Sequence, residues 1–469
     1  MGKAKIVCTI GPASASRKVI REMLKSGMDV ARLNFSHGDH EGQGRVCAYV
    51  REEAAKLKKT VAVLQDLQGI KIRIGDAVSG GFQLVNGREV SLRPGSLTSD
   101  EKNIYITYPA LLQDVKIGDL IVIDDGLLKL KVTGRTQDAL KAVVMEGGFL
   151  RSKKGVNLPS SRTTLAAFTD KDRKDLAFGL SIGVDYIAVS FVRTAADIEK
   201  LIQWAVRGKR KLPPIIAKIE KPEALNNIEA IMDIVDGIMV ARGDLGVEMP
   251  TEQVPVIQKG LIDLANRKGK LVITATQMLE SMTQHSRPTR AEASDVANAV
   301  LDGTDALMLS AETTTGKFPI ETVKMMERII ESTESSSVRK PYAAYEPGCS
   351  FAEATADGAC KAAQDIGAKA IVVLTHSGFT AKLISKLRPS VPVVAFAPKA
   401  DVCRRMAIYW GVTPLLLGKW DDGILDAKFM AQIERVLLNN GLAGKGHNIV
   451  LAASSPFLGK PNIIRLHRI

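Results

Sequence analysis

The stretch Ile215-Ile216-Ala217-Lys218-Ile219-Glu220, with its successor Gly237-Ile238-Met239-Val240-Ala241-Arg242-Gly243-Asp244, forms two short apolar runs that each end in charged residues. A run of this length suits a strand buried on both faces, as in a parallel sheet covered by helices. In a barrel of such strands the carboxyl ends ring one mouth, so run ends far apart in sequence converge there. The same grammar recurs along the chain. Asp29-Val30-Ala31-Arg32-Leu33-Asn34-Phe35-Ser36 ends in a cation, an amide and a hydroxyl, and Val61-Ala62-Val63-Leu64-Gln65-Asp66 in a carboxylate. Tyr186-Ile187-Ala188-Val189-Ser190 and Leu271-Val272-Ile273-Thr274-Ala275-Thr276 end in hydroxyls, and Ala306-Leu307-Met308-Leu309-Ser310-Ala311-Glu312 in a hydroxyl and a carboxylate. With Lys5-Ile6-Val7-Cys8-Thr9 this makes about eight strands separated by helical patterns, which predicts an α/β fold built on a TIM (β/α)8 barrel.

Two stretches depart from that rhythm. From about residue 70 to 157 short alternating runs are bounded by Asn86-Gly87, Pro94-Gly95 and Asp125-Gly126, the pattern of a small β domain. Its place after the third strand predicts an inserted β-barrel lid over residues 70–157, with the catalytic barrel formed by 1–69 and 158–334. A second boundary falls near Glu334-Ser335-Ser336-Ser337, with Pro341 and Pro347-Gly348 beyond it. After it, alternating helix and strand patterns predict a C-terminal doubly wound α/β domain over residues 335–469, a class that binds ligands beyond the strand carboxyl ends. Thr375-His376-Ser377-Gly378-Phe379-Thr380 sits at one such end and opens a helix. Its hydroxyls and amides suit a phosphate, or equally an N-cap and a turn.

Composition bounds the function. A chain of 469 residues, 45% hydrophobic with 39 glycines, is long enough for about three globular domains. No apolar run approaches the roughly 18 residues of a membrane span, so no membrane role is expected. The opening Met1-Gly2-Lys3-Ala4-Lys5 leads into a strand-length run rather than a secretion signal. Cys8, Cys47, Cys349, Cys360 and Cys403 are odd in number and lack metal-type spacing, which points to structural thiols in a reducing cytoplasm. A net charge of +13 attracts anions, but aromatics are only 5% and do not interleave with the basic runs, so phosphorylated metabolites are expected rather than nucleic acid.

Glu220 and Asp244, at the ends of consecutive strands, are candidate ligands of Mg2+ or Mn2+, with strand-end salt bridges as the plainer alternative. Gly243 beside them lets a backbone approach a ligand closely, which favours the metal. Lys218 lies two residues before Glu220, so both side chains face the same way on a strand. An ammonium next to a divalent ion stabilises either an enolate or a phosphoryl group in transfer. A Schiff-base lysine is the rival role and needs a depressed pKa. Arg32 adds a fork for phosphate oxygens or serves as a buried structural arginine, and Thr276 adds a hydroxyl that bonds a carboxylate or relays a proton.

Taken in order, these pieces resemble the pyruvate kinase family over essentially the whole chain. The matching stretches are Thr9-Ile10-Gly11-Pro12-Ala13-Ser14, Ala31-Arg32-Leu33-Asn34-Phe35-Ser36-His37-Gly38, Ile216-Ala217-Lys218-Ile219-Glu220, Val240-Ala241-Arg242-Gly243-Asp244-Leu245-Gly246-Val247-Glu248, Thr274-Ala275-Thr276-Gln277-Met278-Leu279-Glu280-Ser281-Met282 and Arg287-Pro288-Thr289-Arg290-Ala291-Glu292. The resemblance implies a cytoplasmic, tetrameric glycolytic enzyme that moves the phosphoryl group of phosphoenolpyruvate to ADP. It implies Arg32 as a phosphoryl ligand, Lys218 as the cation over the phosphoryl and enolate oxygens, and Glu220 with Asp244 as magnesium ligands. Ala241, Arg242, Gly243 and Asp244 then line the substrate, Thr276 holds it near the carbon that gains a proton, and Asn34, His37 and Arg73 fall where the family contacts the nucleotide.

One departure from the family pattern is informative. Many members carry Thr-Lys-Gly-Pro-Glu after the third-strand aspartate and hold a potassium ion at the positions of Asn34, Ser36, Asp66 and the backbone of Leu67. Here the run is Asp66-Leu67-Gln68-Gly69-Ile70-Lys71-Ile72-Arg73. In the family, lysine at the glutamate position accompanies potassium-independent activity, since a tethered ammonium supplies the same single positive charge. The expectation is that Lys71 replaces the ion and potassium is not required, while Ile70 in place of proline stands at the hinge into the lid. The C-terminal part resembles the family's effector domain, which implies a sugar-phosphate or nucleotide effector at Thr375, Ser377, Gly378 and Thr380. The late loop Ala453-Ser454-Ser455-Pro456-Phe457-Leu458-Gly459-Lys460-Pro461-Asn462 departs from the family's glycine-rich one. Two rivals stay open: a metal-dependent aldolase or lyase acting on a pyruvate enolate, and a binding protein on an inactive barrel.

Overall fold

The apolar runs become parallel strands because nearly every residue in them is buried, which leaves no polar face to turn toward water. In the computed structural model, which describes residues 2–159, 161, 167–336, 349–418, 427–454 and 461–469, the barrel strands are Lys5–Thr9, Met28–Asn34, Ala62–Asp66, Tyr186–Val189, Ile215–Ile219, Gly237–Ala241, Leu271–Ala275 and Ala306–Leu309. Each lies beside the next in sequence and the eighth pairs with the first, so the sheet closes as expected. The stretches 337–348 and 455–460, and with them most of the second boundary and of the late loop, lie outside the described residues. The chain divides into two compact units, Met1–Asp66 with Phe178–Ile187 and Ile262–Ile469, and Leu67–Ala177 with Ala188–Leu261.

Four aspartates at the amino ends of the even-numbered strands do the same task. Asp29 Oδ2 accepts from the Ile6 amide, Asp185 Oδ2 from Val63, Asp236 Oδ2 from Ile215 and Asp305 Oδ2 from Val272, at 2.8–3.0 Å. Each carboxylate satisfies an amide in the first two residues of the preceding strand, where the ladder begins. Three of the four sit in a glycine-x-aspartate pattern, at 27–29, 183–185 and 303–305. The glycines take φ of +127°, +70° and +96°, which end the preceding helix or turn and start the strand.

Within the first unit two of these aspartates also hold the C-terminal domain. Asp185 Oδ1 accepts from Arg404 Nε at 2.9 Å, and the fully buried Asp305 takes both Lys386 and Arg388 Nη2. Burial pushes the Lys386 ammonium down to about 8, with the Asp305 charge opposing the fall and Arg388 adding to it. Trp410 lies under the Lys3 and Arg388 cations and donates to Glu334 at 3.1 Å. The C-terminal sheet has the order Val412–Leu416, Val393–Ala397, Ala370–Leu374, Asn448–Ser454, Pro461–Arg468, with only the last strand antiparallel. Chain order reverses beside Ala370–Leu374, and Thr375 follows that strand at the switch point.

In the second unit the inserted segment folds as a six-stranded and a two-stranded sheet over one core that includes Leu92, Ile106, Leu130 and Leu150. Its hairpin at Asp124, Asp125 and Gly126 takes three successive positive φ angles, the backbone that this Asp-Gly signal favours.

Asp305→Ala strands two buried cations and is expected to cost about 3–5 kcal/mol of stability. Asp236→Ala, which removes one acceptor from an exposed carboxylate, costs about 1 kcal/mol. Urea unfolding of both variants checks the ranking; equal losses would show that the paired cations do not set it.

Candidate active site

The Ile215–Ile219 strand delivers Lys218, and Glu220 follows its last residue, so alternation sends both side chains to one side. Lys218 Nζ lies 2.8 Å from Glu220 Oε1 and donates to Ser190 Oγ at 2.8 Å. Glu220 is buried, its Oε2 accepts from the Phe191 amide at 2.7 Å, and its Oε1 has ion-pair distance to Lys218 but no aligned hydrogen bond. Burial raises the Glu220 carboxyl to about 7, Lys218 opposes that, and the charge of Asp244 adds to it. A buried carboxylate held between an ammonium and a backbone amide, with the charge of Asp244 also acting on it, is a setting that an oxygen-seeking divalent ion fits. No cluster of three or more His, Cys, Asp or Glu suited to a metal occurs among the described residues.

Asp244 stands in the first turn of the helix Arg242–Glu248, which begins directly after the Gly237–Ala241 strand. Ala241, Arg242 and Gly243 thus occupy the strand-to-helix corner, and Arg242 Nη1 donates to Gln258 at 3.2 Å. The Glu248 carboxylate at the far end of this helix accepts from Lys221 and, at 2.7 Å, from Asn157, the last residue of the inserted segment. Lys71 is exposed, yet it loses enough water for its ammonium to fall below the usual lysine value, helped by Arg73 and opposed by Asp244 and Asp125. Arg73 is tied to the inserted segment through Nη1 and the Lys153 carbonyl at 2.7 Å.

In the other unit, Arg32 is 8% exposed and directs Nε and Nη2 to Asp66 Oδ2, each at 2.7 Å, and Nη1 to Thr9 Oγ1 at 2.8 Å. Two of the five N–H groups of the guanidinium are hydrogen-bonded and Nη2 is paired with the same carboxylate oxygen, which leaves N–H groups on the terminal nitrogens for an anion. The structural and the ligand roles of this arginine are therefore compatible. Asn34 Oδ1 accepts from the Ser36 amide at 3.0 Å, and His37 is exposed just beyond. Thr276 and Gln277 follow the Leu271–Ala275 strand in left-handed conformations, φ +68° and +54°, which non-glycine residues adopt only where the surroundings impose them. Buried Glu312 braces that corner by accepting from the Leu279 and Ser310 amides at 3.1 and 2.7 Å.

Reading run ends picked out Lys218, Glu220, Arg32 and Thr276, but it passed over the residues that hold them. Thr9, Ser190 and Glu312 were visible as run-end polar residues, whereas Phe191 has no signal in the sequence because its contribution is a backbone amide and an angle. In the C-terminal domain Thr375 Oγ1 accepts from the Gly378 amide at 2.9 Å and Ser377 Oγ from the Phe379 amide at 3.4 Å, the turn-and-cap arrangement. Thr380 is buried in the helix Phe379–Lys386 and Gly378 takes φ +88° at its start.

Similarity to known proteins agrees with this geometry. A family model described as pyruvate kinase, barrel domain, matches residues 1–323, and one described as pyruvate kinase, alpha/beta domain, matches 353–467. The pyruvate kinase of Mycobacterium tuberculosis is 42% identical over all of this chain and 98% of its own length, and that of Geobacillus stearothermophilus is 42% identical over 99% of this chain and 80% of its own. A solved pyruvate kinase from Cryptosporidium parvum superposes with a TM-score of 0.91 at 35% identity, covering 100% of this chain and 96% of that one. Matches that span the barrel, the insertion and the C-terminal domain are not what an aldolase or a bare binding barrel requires, and the chain belongs to the pyruvate kinase family.

Proposed function

We propose that this chain transfers the phosphoryl group of phosphoenolpyruvate to ADP, giving pyruvate and ATP, and that the pair of Lys218 with Glu220 is its chemical centre. The observation that carries the reading is the buried ammonium–carboxylate pair whose Glu220 oxygen has no aligned hydrogen bond. Phosphoryl transfer asks a protein for positioning and charge stabilisation rather than covalent chemistry, and these groups supply both. Arg32 holds phosphoryl oxygens with the N–H groups that Asp66 and Thr9 do not occupy. Lys218 shares its charge between the migrating phosphoryl group and the enolate oxygen left behind. Ala241, Arg242 and Gly243 present the start of a helix to the substrate, and Thr276 keeps the enolate carbon where it gains its proton. Asn34, His37 and Arg73 face the nucleotide.

The family uses magnesium, and here Glu220 and Asp244 would hold the ion. Once bound it would neutralise charge on phosphoryl and enolate oxygens. Lys71 takes the part of a monovalent cation that other members hold near Asn34, Ser36, Asp66 and Leu67. What supports this is that the charges of Asp244 and Asp125 favour the Lys71 ammonium, and that the Asp66 carboxylate is already paired with Arg32. A catalytic barrel of 1–69 and 158–334, a lid of 70–157 and an effector domain of 335–469, in a cytoplasmic homotetramer, complete the reading. A phosphorylated sugar or nucleotide binds at Thr375, Ser377, Gly378 and Thr380 and alters substrate affinity.

Pyruvate formation from phosphoenolpyruvate, followed in a coupled assay, is expected only when ADP is added; pyruvate without ADP would sink the kinase reading. In the same assay Lys218→Met lowers kcat by about 10²–10³-fold, the usual loss for removing one group that stabilises developing charge. The rate should be the same with potassium or tetramethylammonium as the added monovalent cation, whereas Lys71→Glu becomes dependent on potassium. A variant indifferent to the cation would refute the substitution of lysine for the ion. A panel of sugar phosphates and nucleotides should contain one that shifts the phosphoenolpyruvate KM of the unaltered chain and not that of Thr380→Ala, and a panel without effect on the unaltered chain counts against the effector site.

A further inference from the structure

Ser190, which ends the run Tyr186-Ile187-Ala188-Val189-Ser190, is 2% exposed and touches two groups of opposite hydrogen-bonding character. Its hydroxyl donates to the Leu67 carbonyl at 2.7 Å and accepts from the Lys218 ammonium at 2.8 Å. A carbonyl can only accept and an ammonium can only donate, so the direction of both bonds is forced by the chemistry. The Leu67 carbonyl is itself anchored, because the amide of the same residue donates to the Ala188 carbonyl at 3.0 Å. The relay therefore starts on backbone, not on another mobile side chain.

The next residue fixes the other half of the pair. Phe191 takes φ +55°, a left-handed conformation costly for a bulky residue, and its amide reaches Glu220 Oε2 at 2.7 Å. Gly69, at φ +64°, packs so closely on this corner that a Cβ would stand 3.1 Å from Ser190 and Phe191 atoms. One strained corner after the fourth barrel strand thus grips both functional side chains that follow from the fifth.

We propose that Ser190 is the positioning residue for Lys218 in phosphoryl transfer, a second anchor that fixes the direction of an ammonium already in contact with Glu220. The inference rests on the role given to Lys218 in the proposed reaction. Lysine carries its charge on a flexible four-carbon stem, and Glu220 Oε1 lies 2.8 Å from it. Without the Ser190 acceptor the ammonium keeps its contact with the carboxylate but loses the bond that fixes its direction, and it swings out of the position from which it faces the phosphoryl and enolate oxygens.

Steady-state kinetics of Ser190→Ala, Ser190→Thr and Ser190→Ala combined with Lys218→Met test this. Ser190→Ala is expected to lower kcat by about 10–100-fold, the scale of a misplaced reacting group, with the phosphoenolpyruvate KM within about threefold. Ser190→Thr, which keeps the hydroxyl, recovers most of that loss. In the Lys218→Met background Ser190→Ala should cost less than about twofold more, because two residues that act as one unit are not additive. A Ser190→Ala enzyme with unchanged kcat, or a loss that persists undiminished without Lys218, overturns the inference while leaving the kinase reading intact. An unaltered chain that makes no ADP-dependent pyruvate removes the kinase reading itself. Should Ser190→Ala not fold, Ser190→Cys, with its weak sulfur acceptor, is judged by the same two outcomes.

Discussion

Every backbone amide and carbonyl at the end of a buried parallel strand needs a partner, and the rest of this structure follows from how that need is met. At the amino ends four aspartates meet it for amides in the first two residues of the neighbouring strands. The solution leaves the second oxygen or lone pair of each carboxylate available, and at Asp185 and Asp305 that capacity is used to hold arginine and lysine from the C-terminal domain. One residue type therefore closes the barrel and joins a second domain to it. At Asp305 the cations are buried with their carboxylate, so that join is specific but costly to break.

At the carboxyl ends the same need is met differently. The chain leaves the strands through corners that glycine-free sequence would not choose: Phe191, Thr276 and Gln277 all lie in the left-handed region. Strain of this kind persists only where the surroundings over-determine the backbone, and it collects where a site must be held ready for its substrate. Phe191 shows the return directly, since the strained residue carries the amide that donates to the Glu220 carboxylate. Stability concentrated at one end of the barrel and strain at the other is the division of labour that the fold permits.

Lys218 and Glu220 illustrate why charge can be buried here at all. Alone, either would lose several kcal/mol of hydration. Together, with Ser190 and the Phe191 amide completing their coordination, each is compensated, yet not so fully that the carboxyl keeps its ordinary pKa. Incomplete compensation fits the role proposed for this site, that of receiving a divalent ion and a phosphorylated substrate.

By itself the sequence determined the strand runs, their number and the polar residues at their ends, because an apolar run bounded by charge is a local pattern that periodicity exposes. It also marked the interrupted rhythm of the insertion and the second α/β pattern near the carboxyl end. The aspartates at 29, 185, 236 and 305 were equally legible as residues but not as a set, since what unites them is a hydrogen bond to a different strand. Only the tertiary structure decided that Arg32 ties its guanidinium to Asp66 and Thr9, that Ser190 stands between Lys218 and a backbone carbonyl, and that Phe191 turns its amide to Glu220. Those are contacts between segments tens to more than a hundred residues apart, and they exist because closing the barrel sets strand ends side by side, a geometry that no local pattern of residues contains.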